Sequence, residues 1–208
     1  MLSKEIEINS IKENKTINYD YFHWGPFLYK TTLTTDELNQ IEKICSKDSE
    51  DYRSNLAGLI MHEHKVDVKK LFPIIAPYLQ SYVKAYMDYR GEPLGKKIEL
   101  MTAWVNYMTK FESNPLHTHD KDLSFIIFIK IPKKLKQEAE ETISIHKPGS
   151  VSFVHTLDNK DEIIGSHTFF PKVGDFFIFP ACLHHFVNSF KCEGERISVS
   201  GNLKKIDG

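Results

Sequence analysis

The segment NPLHTHD, Asn114 to Asp120, places two imidazoles one residue apart and a carboxylate directly after them. In an extended chain residues i and i+2 share a face, so His117 and His119 leave on one side while Thr118 and Asp120 leave on the other. Two imidazoles on one face can grip one metal ion, and a third ligand must then arrive from a distant segment. FPACLHHFV, Phe179 to Val187, offers His184 and His185 directly after a strand-like run. Imidazole nitrogens suit iron, zinc, copper and nickel, and three protein ligands around an octahedral iron leave positions for small molecules. The ordinary explanation competes. Ten histidines in a chain this long sometimes fall near one another, and buried histidines need partners with or without a metal.

A second chemical feature is ERISVSGN, where Arg196 and Ser198 share one face of a strand-like run and Ile197 and Val199 share the other. An inward arginine in a half-apolar strand needs an anion, since an unpaired buried charge is costly. Its planar fork matches a carboxylate and the serine adds a hydrogen bond. An internal salt bridge satisfies the same need, so either an acid of the chain or a carboxylate-bearing cosubstrate meets Arg196.

Positioning these groups requires elements that converge from far apart. ELMTAWVNYM, DLSFIIFIKIP, SVSFV, GDFFIFP, HHFVNSF and ERISVSG are short strand-like runs separated by turn residues. Gly174 is expected in the turn that enters GDFFIFP. The Lys133, Lys134 and Lys136 patch reads as a solvated turn. Ahead of the strands, Thr34 and Glu37 have capping-box spacing and predict a helix over 35–47. Leu71, Ile75, Tyr78, Leu79 and Tyr82 repeat at helical spacing and predict a helix over 67–89 that Gly91 ends, with Pro73 and Pro77 shifting its start or bending it. Residues 1–33 read as edge strands or an extended arm, with aromatics at Tyr19, Tyr21, Phe22, Trp24, Phe27 and Tyr29. Helices first and many strands after them predict a sandwich or barrel with the N-terminal helices on one outer face.

Composition narrows the classes of function. The chain has 208 residues, 41% hydrophobic and 26% charged, which fits one globular domain, 1–208. Its 27 basic and 28 acidic residues leave a net charge of -1, so neither nucleic acid nor an anionic membrane is an expected partner. Three cysteines, Cys45, Cys182 and Cys192, favour a reducing compartment. The expected location is the cytoplasm. The N-terminus is too polar for a signal peptide, and no apolar run is long enough to cross a membrane.

Taken in order, AWVNYMTKFESNPLHTHD, LSFIIFIKIP, PKVGDFFIFPACLHHFV and ERISVSGN resemble the 2-oxoglutarate and Fe(II)-dependent oxygenase superfamily. More narrowly the chain is similar to the small prolyl-hydroxylase-like oxygenases of bacteria and tailed phages. The likeness covers roughly 100–203, and NLAGLIMHEHKVD, 55–67, is similar to the helical region before the barrel in that narrower group. It implies a mainly β fold, a jelly-roll or double-stranded β-helix core over 97–203, supported by an N-terminal arm and helices over 1–96. It also implies Fe(II) as cofactor and 2-oxoglutarate as cosubstrate.

Carried over residue by residue, the resemblance puts the metal ligands on His117, His119 and His185, with His184 facing away. Arg196 and Ser198 match the pair that holds the far carboxylate of 2-oxoglutarate. Tyr107 falls where many relatives place a tyrosine reaching the same cosubstrate, and Asn106 is its rival. The catalytic set is thus His117, His119, His185 and Arg196. The departure is at 119, where the superfamily commonly has aspartate. Asp120 replaces His119 as ligand only if the chain turns there, and Asp122 and Glu112 are weaker substitutes. Trp104, Phe125, Ile127 and Phe179 are expected in the packed interior, as is Cys182.

The implied reaction is hydroxylation of a C-H bond of a peptide, protein or amino-acid substrate by a monomer or homodimer, with release of succinate and CO2. Two alternatives stand beside it. One is a cupin-like metal-binding protein without 2-oxoglutarate turnover. The other is a phage-associated structural or interaction protein on a decayed oxygenase scaffold, which the histidines would betray by failing to converge.

Overall fold

A computed structural model describes residues 5–7, 16–22, 25–156 and 164–206. In chain order its elements are β1 (Glu5–Glu7), β2 (Tyr19–Phe22), β3 (Leu28–Thr32), α1 (Thr35–Ile44), β4 (Glu63–Lys65), α2 (Val68–Arg90), β5 (Lys97–Met108), β6 (Asn114–His117), β7 (Leu123–Lys130), α3 (Leu135–Glu141), β8 (Val151–Thr156), β9 (Ile164–Phe169), β10 (Asp175–Pro180), β11 (His184–Val187) and β12 (Arg196–Ile206). Trp24 lies outside the described residues.

The strands form two antiparallel sheets. The larger runs β1-β5-β12-β7-β10-β3-β2, with β4 also on β5; the smaller runs β6-β11-β8-β9. The sheets face each other as a jelly-roll, double-stranded β-helix core, and the N-terminal helices pack on the outside of the larger one. Strand alternation makes this possible. On β7, Phe125 and Ile127 join the layer under the helices with Leu71, Ile75, Tyr78 and Tyr82, whereas Ile126 and Phe128 face Phe153, Phe177 and Phe179 between the sheets.

Both helices have the predicted starts. Thr34 accepts a hydrogen bond from the Glu37 amide and the Glu37 carboxylate accepts one from the Thr34 amide, which closes the capping box. Asp67 caps α2 by accepting from the Lys69 amide at 2.9 Å, and Gly91, at φ 73°, ends it. The start of α2 is not displaced by Pro73 or Pro77, which lie inside the helix. Pro73 is exposed and Pro77 half-buried, and each lacks the amide that would bond the carbonyl four residues before it.

The 55–67 segment is not helical beyond a short turn at Arg53–Asn55; it holds β4, which adds to the edge of β5 with Glu63 opposite Asn106 and Lys65 opposite Trp104. The reason is the alternation of MHEHK, which sends Glu63 and Lys65 to one face and His64 to the other. Lys133 and Lys134 occupy the expected exposed turn, and Lys136 is exposed on α3, which begins immediately after Lys134. A strand not anticipated, β9, closes the smaller sheet beside β8. Gly174 does occupy the turn before β10, at φ 93°.

Candidate metal centre

The smaller sheet brings two of the histidines together by register. His117 ends β6 and lies directly opposite His185 on β11. Beyond His117 the regular strand stops, but the chain is held extended by a hydrogen bond from the His119 amide to the Ala181 carbonyl at 2.9 Å. His119 therefore turns to the same side as His117. One ring nitrogen from each of His117, His119 and His185 lies within 4.8 Å of the other two. His119 Nε2 and His185 Nε2 approach to 3.3 Å.

Hydrogen bonds orient two of these rings. His117 Nδ1 lies 2.7 Å from the Pro115 carbonyl, and His185 Nδ1 lies 3.0 Å from the Leu183 carbonyl. A carbonyl only accepts, so each Nδ1 carries the proton and each Nε2 presents a lone pair, the usual arrangement around a bound metal. Burial, the largest cause in each case, pushes the basicity of all three imidazoles down: His117 is lowered, His119 falls to about 4, and His185, only 2% exposed, falls well below its ordinary value. The set is neutral at pH 7 and crowds three imidazole nitrogens together, a donor set suited to a divalent cation.

Facing the imidazoles is the inner surface of β5 and β12. Arg196 is opposite Met108, Ser198 opposite Asn106 and Ser200 opposite Trp104, and these six residues line one cavity with the three histidines. Arg196 is 2% exposed. Its guanidinium lies 4.7 Å from the Phe128 ring centroid, and Nη1 reaches only the Met108 sulfur at 3.9 Å. Burial lowers its pKa to about 9, which leaves it charged at neutral pH. Nε and Nη2, one whole edge of the fork, have no hydrogen-bond partner among the described residues. The sequence left open whether an internal acid meets this arginine; no carboxylate of the described residues does. The free edge fits a carboxylate from outside the chain.

Strand parity separates the two rivals on β5. Asn106 faces the cavity, with its amide nitrogen 3.5 Å from Ser198 Oγ and 3.4 Å from Ser200 Oγ. Tyr107 faces the opposite side of the sheet. Its ring lies 6.2 Å from His64 and under Lys47 Nζ at 5.0 Å, so the structure does not bring it to Arg196 and Ser198. His184, one residue from His185, is exposed on the other face.

The acids near His119 lie elsewhere. Asp120 points to solvent, with its side chain 75% exposed and paired to Lys121 at 2.6 Å. Asp122 accepts from the Lys205 amide, and Glu112 clasps the Met61 and Thr109 amides. Cys182 is exposed, not packed in the interior. Phe125, Ile127 and Phe179 are interior as expected, but Trp104 has a second role. It walls the cleft, its ring 5.7 Å from His119 and 6.0 Å from Tyr52.

Sequence reasoning missed Glu63. It is 1% exposed, neither carboxylate oxygen has a hydrogen-bond partner among the described residues, and it lines a cleft of about 400 Å³ with Trp104, Asn114, His117 and His119. The alternation of MHEHK could have revealed it, had the segment been read as a strand.

Residues 102–202 match the family model described as "Putative 2OG-Fe(II) oxygenase". No curated protein matches the sequence. Among solved structures, the chain is similar to OsALKBH1, with a TM-score of 0.55, 11% identity, and coverage of 88% of this chain and 99% of that one. HygX from Streptomyces hygroscopicus, with nickel and 2-oxoglutarate bound, gives a TM-score of 0.52 at 11% identity, covering 86% and 82%. A prolyl hydroxylase from Trichoplax adhaerens, in complex with a hypoxia inducible factor peptide fragment, gives 0.50 at 12%, covering 86% and 83%. At these identities the likeness is one of fold. Fold, match and cluster together support a 2-oxoglutarate and Fe(II) oxygenase resemblance.

Proposed function

We propose that the chain is an Fe(II)- and 2-oxoglutarate-dependent oxygenase that hydroxylates a C-H bond of a peptide, protein or amino-acid substrate. The observation that carries this reading is the pairing of two features across one cavity: three converging imidazoles, and a buried guanidinium whose Nε and Nη2 edge is free. When bound, Fe(II) with 2-oxoglutarate and oxygen supplies oxidising power, converting the cosubstrate to succinate and CO2 and inserting one oxygen atom into the substrate C-H bond.

The residues have separable tasks. His117, His119 and His185 hold the metal, with Pro115 and Leu183 carbonyls fixing the first and last rings. Arg196 binds the distal carboxylate of the cosubstrate through its free edge, and Ser198 adds a hydroxyl beside it. Asn106 takes the supporting place that Tyr107 cannot reach from the other face. Burial of Arg196 makes each of these contacts stronger than it would be in water, and Ile60, Met108, Ile126 and Val187 give the cavity an apolar lining.

A second reading rests on the same cluster: three neutral imidazoles with no carboxylate among them can hold a metal without turning over 2-oxoglutarate. One experiment separates the two. Anaerobic Fe(II) followed by 2-oxoglutarate is expected to give the visible charge-transfer band of a chelated complex, and addition of oxygen is expected to release succinate. Metal binding without that band would support the second reading and reject the first.

A further inference from the structure

Glu63 is a carboxylate in the wrong place for a structural role. It sits on β4, opposite Asn106, and is turned toward the cleft that reaches His117 and His119. Both its oxygens lack partners although the residue is 1% exposed, and an unpaired buried carboxylate is among the more expensive groups a fold can carry. The nearby cations are already engaged. Arg53 is spread across Asp51 with contacts of 2.6 to 3.0 Å, and Lys65 reaches Glu50 at 2.9 Å.

The surroundings match one kind of ligand. Asn114 Oδ1, in the same cleft, is also a buried acceptor with no donor. Trp104 presents an aromatic wall there, and aromatic faces attract cations. Gly58 leaves the room: a Cβ at that position would come 2.7 Å from Glu63 Oε1 and 3.0 Å from Oε2. Two acceptors without donors, one of them anionic, beside an aromatic wall call for a positively charged group bearing several N-H bonds.

We infer that Glu63 recognises a cationic nitrogen group of the substrate, an ammonium or a guanidinium, and so sets the substrate class as amine- or guanidine-bearing. This rests on the reading of the cavity as an oxygenase site, with the cleft at Glu63 as its substrate entrance. The raised pKa of the Glu63 carboxyl agrees with a group that gains its full charge when a cation arrives.

The test uses the full chain, both metal-free and with Mn(II) and 2-oxoglutarate, titrated calorimetrically with Nα-acetyl-lysinamide and Nα-acetyl-argininamide. Their neutral counterparts, Nα,Nε-diacetyl-lysinamide and Nα-acetyl-citrullinamide, are the controls. At least one cationic probe is expected to bind saturably and about tenfold or more tightly than its neutral counterpart. Glu63→Gln is expected to erase that preference, and Gly58→Ala to weaken it by crowding the carboxylate while leaving Glu63 in the sequence. Equal binding of charged and neutral probes, no saturable binding of either cation, or a preference that survives Glu63→Gln would overturn the inference. So would a Glu63→Gln effect confined to metal affinity. Because the metal-free arm needs no cosubstrate, loss of the charge-transfer band would reject the oxygenase reading without touching the result for the cation.

Discussion

His117 and His185, 68 positions apart by their numbering, stand directly opposite one another across β6 and β11 with ring centroids 4.2 Å apart. Each donates its Nδ1 proton to the carbonyl two residues before it, so the same local device orients both rings. Metal binding then becomes a property of strand pairing: whatever holds the β6-β11 register holds the site.

Divalent metal should therefore stabilise the fold. At Mn(II) concentrations about 100 times the dissociation constant the gain is about 2.7 kcal/mol, or roughly 5 to 10 °C for a chain of this size. His185→Ala is expected to abolish the shift in thermal unfolding. An unchanged metal-induced shift in that variant would place the ion elsewhere.

Removing Arg196 should act in opposite directions on stability and on cosubstrate binding. Arg196→Met takes away a buried charge that lies against Met108 and Phe128, so the ligand-free protein is expected to unfold at a higher temperature. The same variant should bind 2-oxoglutarate about a hundredfold more weakly, since charge-assisted hydrogen bonds contribute about 1.5–3 kcal/mol each. Equilibrium binding to the Mn(II) form measures the second effect. A variant that binds as the wild type does would exclude Arg196 from the cosubstrate site.

The parity of β5 gives a paired prediction. Asn106→Ala is expected to weaken 2-oxoglutarate binding about tenfold through loss of one or two hydrogen bonds. Tyr107→Phe, on the other face beside His64 and Lys47, should leave it unchanged. The reverse ranking would mean that the strand sits one residue out of the register described.

Glu63 carries a pH signature. Its carboxyl is raised from 4.5 to about 7, first by burial and next by Glu112, with Asp51 adding to the rise and Arg53 opposing it. A folded-state pKa above the unfolded one means that this group's contribution is intact below about 4.5 and is lost as pH climbs through about 7. Glu63→Gln should thus be more stable than the wild type at pH 8, by roughly 1–3 kcal/mol, and the difference should shrink toward pH 5. Denaturant unfolding at the two pH values checks it; a difference independent of pH would mean that Glu63 is not an unpaired buried acid.

The sequence by itself determined much of the scaffold and part of the site. The capping box at Thr34 and Glu37, the α2 periodicity and the strand-like runs ELMTAWVNYM, DLSFIIFIKIP and ERISVSG are local patterns, and local patterns carry their meaning in the order of residues. The i,i+2 geometry of His117 and His119 and the shared face of Arg196 and Ser198 were legible for the same reason. Tertiary structure alone decided the rest. Which of His184 and His185 turns inward depends on how β11 registers with β6 and β8, and which of Asn106 and Tyr107 does so depends on which face of β5 meets the helices. Asp120 is removed from contention because its side chain points to solvent and pairs with Lys121. Glu63 was the hardest to foresee: a lone acid between two histidines says nothing until β4 is laid on the edge of β5, where pairing buries it and supplies no partner. Periodicity is a property of neighbours in sequence, but register, burial and the supply of partners belong to neighbours in space.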